Sequence, residues 1–126
     1  MQERSIRFPA DVAYVASIRD FAAQTADDFG SGVDRTDLAL IVSELAANAA
    51  EHQTGEAELV VRVHDDGCLD IEVIDSDATI PAPMHSDPLD PDGHRGLHIV
   101  SVISHSWGVI PEAGGKRVWA RLAPLS

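Results

Sequence analysis

The chain has 126 residues, room for one domain, and 44% of them are hydrophobic, enough to bury one ordinary core. Nine Lys and Arg against 21 Asp and Glu give a formal net charge of −12, which repels phosphate backbones and anionic lipid. Neither nucleic acid nor a membrane is therefore expected as a partner. The lone Cys68 has no intramolecular disulfide partner, and the first residues, Met1 to Arg7, carry no apolar leader. No window approaches the roughly 20 apolar residues of a membrane helix. These features predict a soluble, cytoplasmic chain.

Ser5-Ile6-Arg7-Phe8-Pro9 alternates briefly and stops at proline, which predicts a short edge strand. From Asp11 to about Phe29, the residues Val12, Val15, Ile18, Phe21 and Ala22 recur at helical spacing, with Asp11 placed as N-cap. Gly30-Ser31-Gly32 ends that helix. A second helix is predicted from about Asp34 to His52, with Leu38, Ile41, Val42, Leu45 and Ala49 as its apolar stripe. Two alternating runs follow, Glu58 to His64 and Cys68 to Asp75, around Asp65-Asp66-Gly67. That pattern predicts a β-hairpin.

The stretch from Ser76 to His94 holds Pro81, Pro83, Pro88 and Pro91 and shows no periodicity. A loop of this length inside a small domain predicts a lid or a disordered segment. A third helix is predicted from about Arg95 to Ser106, then two strands, Trp107 to Ile110 and Lys116 to Leu122, joined across Gly114-Gly115. The order predicts an α+β fold spanning 1–126 as one domain: a two-layer sandwich, with helices on one face of a mostly antiparallel sheet.

Three groups of residues could carry chemistry. Glu44, Asn48 and His52 stand four apart on the second helix and form a polar row beside its apolar stripe. A carboxylate and a carboxamide one turn apart can supply a base and a Mg²⁺ ligand beside a phosphate chain. A solvated helix face is the ordinary alternative. Asp75 ends a strand where the chain leaves the sheet, and there it could accept a hydrogen bond from an exocyclic amine such as that of adenine. A turn-forming Asp is its ordinary alternative. Gly93, Arg95, Gly96 and Leu97 open the third helix, where backbone N–H groups and the helix dipole favour an anion. A simple hinge explains the glycines equally well. Cys68 begins a strand and reads as structural, and the six His residues show no zinc-type pairing.

Taken in order, these segments resemble the boxes of the histidine-kinase-like (GHKL) ATPases. Glu44-Leu45-Ala46-Ala47-Asn48-Ala49-Ala50-Glu51-His52 resembles the N-box in the form carried by bacterial anti-sigma factor serine/threonine kinases. Ile71 to Asp75 resembles the G1 strand and Gly93 to Val100 the G2 box. Ser106 to Val109 and Gly114 to Trp119 resemble the closing hairpin, especially of actinobacterial members. The resemblance implies ATP and Mg²⁺ as cofactors. Glu44 would be the general base, Asn48 the Mg²⁺ ligand and Asp75 the adenine reader, with Gly93 and Gly96 hinging the lid. His52 matches the pattern without an assigned role. It also implies an anti-sigma antagonist of the STAS-domain type as phosphate acceptor, a sigma factor as binding partner, and a homodimer. Two departures stand out: Ser76-Asp77-Ala78-Thr79 replaces the usual glycines, and Arg117 stands where many members carry Thr. They leave open an alternative, a catalytically weak or inactive ATP-binding module that regulates a protein partner.

Overall fold

The computed structural model describes residues 1–51, 55–76 and 95–125. Its elements are β1 (Gln2–Pro9), a 3-10 turn (Val12–Tyr14), α1 (Val15–Asp28), α2 (Arg35–Glu51), β2 (Glu56–Val63), β3 (Leu69–Asp75), α3 (Arg95–Ile103), β4 (Ser106–Glu112) and β5 (Gly115–Leu122). The strands form one sheet in the order β1-β2-β3-β5-β4, and each neighbouring pair is antiparallel. The helices lie on one side of it, as the α+β reading expected. The expected lid falls almost wholly outside the described residues.

The helices begin where short polar side chains satisfy their first backbone donors. Asp34 Oδ1 accepts from Thr36 N at 2.8 Å and Asp37 N at 2.9 Å, and so caps α2. Leu38, Ile41, Val42, Leu45 and Ala49 are all buried on that helix, joined by Ala46 and Ala50. Asp11 accepts from Ala13 N at 2.9 Å, as an N-cap should, but the turn it starts is 3-10 rather than α. The tighter turn moves Val12 out of the apolar stripe, leaving it 69% exposed. Ile18 and Ala22 of the predicted stripe are buried with Thr25 and Ala26, and Val15 and Phe21 pack partly buried against the core.

The β2–β3 hairpin turns where Gly67 takes φ 90°, and His64 N donates to Cys68 O at 2.8 Å. Alternation sends Leu69, Ile71, Val73 and Asp75 to the helix side, where Val118, Ala120 and Leu122 of β5 meet them. Against this face pack Ile18, Leu38, Ile41, Val42 and Leu45. Each large side chain buried there contributes about 1.5–3 kcal/mol. α2 contacts α1, α3, β3 and β5, so it is the helix that faces the middle of the sheet.

The opposite face carries charge. Arg62 bridges Glu3 at 2.5 Å and Glu72 at 2.8 Å, while Arg117 joins Glu72 at 2.8 Å and Glu112 at 2.6 Å. This alternating row crosses all five strands. Beside it, Arg121 donates to Asp70 at 2.7 Å and His64 Nε2 lies 2.7 Å from the same carboxylate. Isolated surface pairs are worth little, but a network with half-buried members holds its geometry better. Trp119 faces Gly108 across β4 and β5, where a Cβ on Gly108 would come within 2.8 Å of the indole nitrogen. The glycine is there because the ring needs its space.

Chain order decides where the site forms. After β3 ends at Asp75, the chain passes through α3 and then lays β4 at the sheet edge. β5 returns between β4 and β3, so its first residues lie against the last residues of β3.

Candidate functional site

Glu44 and Asn48 occupy successive turns of α2 and are both half-buried. Burial pushes the Glu44 carboxyl above its ordinary value, because the charged form loses solvent there. Asn48 Oδ1 is buried and, among the described residues, has no hydrogen-bond partner. A buried carboxamide oxygen without a donor is uncommon and calls for an explanation such as an absent ion. Both features are what a base and an oxygen ligand for a hard cation require. Among the described residues no three His, Cys, Asp or Glu form a metal-holding group. Asn48 Oδ1 is an oxygen that could serve as a ligand to a hard cation such as Mg²⁺.

The other expected anchor has a different character. Asp75 is buried on the helix side at the end of β3, and its register partner on β5 is Lys116. The Lys116 ammonium donates to Asp75 Oδ1 at 3.1 Å and stands 3.0 Å from Oδ2, so it straddles the carboxylate. The Lys116 side chain is 0% exposed and that of Asp75 is 1% exposed. Gly115 makes this approach possible, since a Cβ there would lie 1.9 Å from the Asp75 carbonyl oxygen. The Asp75 carboxylate thus faces a cation of this chain, whereas the Asn48 oxygen accepts no hydrogen bond among the described residues.

Lys116 is the residue that sequence reasoning passed over. The sequence singles out Arg117, and the structure shows that its neighbour Lys116 is the one at Asp75. Arg117 pairs with Ile74 in the sheet and sends its guanidinium to Glu72 and Glu112 on the charged face, away from Asp75. The missed signal was period-two alternation: Lys116 shares parity with Val118, Ala120 and Leu122, which places a cation on the apolar side.

The remaining expected site residues divide simply. His52 and Gly93 lie outside the described residues. Arg95 and Gly96 form the first turn of α3, and Leu97 is buried in the core. α2 packs against both α3 and β3, which brings the elements carrying these residues together. A cavity of about 240 Å³ at the strand ends is lined by Arg7, Glu58, Ile74, Asp75, Ser76 and Gly115, among others. Neither Glu44 nor Asn48 lines it, so it is not the space the α2 row faces. Cys68 has its thiol pushed up by burial and by Asp66, which suits a structural residue and not a nucleophile.

Residues 8–122 match the model of the histidine kinase-like ATPase domain. The chain belongs to that family. No protein of curated function matches it. Among solved structures, this ATPase-family domain superposes on the RsbU and RsbW domains of Rv1364c from Mycobacterium tuberculosis with TM-score 0.67 and 20% identity. That match covers 98% of the domain and 32% of the neighbour. The histidine kinase domain of the blue-light activated histidine kinase EL346 from Erythrobacter litoralis matches with TM-score 0.55 and 20% identity, over 91% of this domain and 61% of that chain. The ATPase-family domain thus spans less than two thirds of either neighbour, and at these identities the likeness is one of fold. No helix among the described residues is long and apolar enough to cross a membrane.

Proposed function

We propose that this domain is a regulatory serine/threonine protein kinase of the anti-sigma type, which uses Mg·ATP to phosphorylate a STAS-domain antagonist and binds a sigma factor. Membership of an ATPase family supports the nucleotide. The fold shared with a chain that contains an RsbW domain supports the regulatory role. The observation that carries the reading is the α2 row: a half-buried acid of raised pKa one turn from an unpartnered buried amide oxygen.

The chemistry asked of these residues is modest, because phosphoryl transfer depends mainly on positioning and charge neutralisation. The acceptor hydroxyl oxygen bonds to the γ-phosphorus, the bond from that phosphorus to the β,γ-bridging oxygen breaks, and ADP departs. Glu44 takes the hydroxyl proton. Its raised pKa makes it the stronger base for that task. Asn48 would hold Mg²⁺, which would supply charge neutralisation on the transferring group. The acidic chain suits a basic or mixed protein partner through steering of encounter. Dimerisation through a second copy belongs to the same proposal.

The test is phosphate transfer from Mg·ATP to a candidate antagonist, compared between the wild type and Glu44→Ala. Equal transfer by both proteins would remove Glu44 from the role of base. A second reading, a nucleotide-responsive binding module with little transfer, is favoured by the ammonium on Asp75. It predicts a thermal shift with Mg·ATP and no phosphoprotein.

A further inference from the structure

A base-reading carboxylate works by offering lone pairs that the correct base fills and the wrong base leaves empty. In this chain the carboxylate in that position already has a cation of its own. Lys116 Nζ lies 3.1 Å from Asp75 Oδ1 and 3.0 Å from Oδ2, and both side chains are sealed from water. The pair is also fixed mechanically. Asp75 and Lys116 are direct partners in an antiparallel ladder, and Gly115 lets the two backbones close to a distance that leaves no room for a side chain. Separating a buried ion pair is strongly unfavourable. An exocyclic amine arriving here would meet a carboxylate whose charge is already neutralised by an ammonium that donates to Oδ1 and stands against Oδ2, and an amine is the weaker donor.

We propose that Lys116 is a specificity-determining residue that cancels selection for adenine, by holding the carboxylate of Asp75 that would otherwise accept the adenine amine. Affinity for nucleotide then comes from the phosphate and metal end on α2, and purines with an amine or a carbonyl at the same ring position bind alike. The inference rests on the nucleotide site proposed above, and it separates that site into one end that discriminates and one that does not.

The experiment is calorimetric titration of the full chain with Mg·ATP and with Mg·GTP, in the wild type, Lys116→Arg and Lys116→Thr. In the wild type and Lys116→Arg, which keeps a cation on Asp75, the ATP and GTP dissociation constants should agree within about threefold. In Lys116→Thr, whose short side chain gives up the carboxylate, ATP should gain about tenfold or more over GTP, as expected for a hydrogen bond to a charged acceptor. A merely structural Lys116 would weaken both nucleotides together and leave their ratio alone. A wild-type preference for ATP above about tenfold overturns the inference while leaving the nucleotide site intact. Where Lys116→Thr does not fold, that wild-type ratio decides the matter by itself. If only Lys116→Thr binds ATP, the role of Lys116 is upheld and the reading of the natural chain as an ATP user falls. If no folded variant binds either nucleotide, both fall together.

Discussion

The two ends of the candidate site solve opposite problems with buried polar groups. On α2, Glu44 and Asn48 are left wanting: one carboxyl is pushed towards its protonated form, and one amide oxygen has no donor. At the junction of β3 and β5, Asp75 and Lys116 are matched, charge against charge, with both side chains buried. An unsatisfied buried polar group costs stability that a ligand can recover, whereas a buried ion pair resists separation. The comparison sets an amide oxygen left unsatisfied among the described residues against an acid and an ammonium that meet inside the sheet.

The sharpest way to break this comparison is to remove the proposed base, Glu44. Glu44→Ala should lower phosphate transfer by about 10²–10⁴-fold, the usual worth of a positioned general base, with Mg·ATP binding retained. Loss of binding with no specific loss of transfer would show that α2 holds nucleotide only. The strand end should respond in stability. Lys116→Met strands a buried carboxylate and should cost about 3–5 kcal/mol in denaturant unfolding, while Asp75→Asn combined with Lys116→Met should recover most of it. Equal losses in the single and double variants would mean the pair is not self-contained.

How far the sequence alone could reach follows from the same contrast. The order of elements was legible because alternation, helical spacing, caps and the Asp-Gly turn are local signals. Glu44, Asn48 and Asp75 stood out for the same reason. Alternation shows β1 only from Ser5, but the strand begins at Gln2, because its first residues are polar and join the sheet through backbone pairing with β2 and through Glu3 on Arg62. Val12 was assigned to a stripe that the 3-10 turn then displaced. Lys116 was overlooked because its meaning depends on a register, Asp75 opposite Lys116, that spans 41 positions of sequence. Only the parity of β5 hinted at it.

Smaller effects sharpen the picture around the site. Burial acts to raise the Asp70 carboxyl, but Arg121 and His64 outweigh it and hold the group below its ordinary value. A lowered folded pKa means stability present above the unfolded value and lost as pH falls through the folded one. Asp70→Asn should therefore cost on the order of 1–3 kcal/mol near neutral pH and flatten the acid limb of the stability curve. A variant with an unchanged acid limb would show that the charged face contributes nothing. Glu44 has the opposite sign. Its raised pKa is a contribution present below the unfolded value and lost as pH rises through the folded one. Glu44→Gln should therefore melt slightly higher than the wild type at neutral pH, with the gain fading in acid. A lower melting point at neutral pH would mean the ionised carboxylate has a stabilising partner.

The most direct test of the α2 end is calorimetric titration of ATP with and without Mg²⁺, in the wild type and Asn48→Ala. Binding that requires Mg²⁺ in the wild type, and that loses this requirement together with at least tenfold in affinity in Asn48→Ala, is the expected result. Binding that ignores Mg²⁺, or that is unchanged by loss of the Asn48 amide, would contradict it.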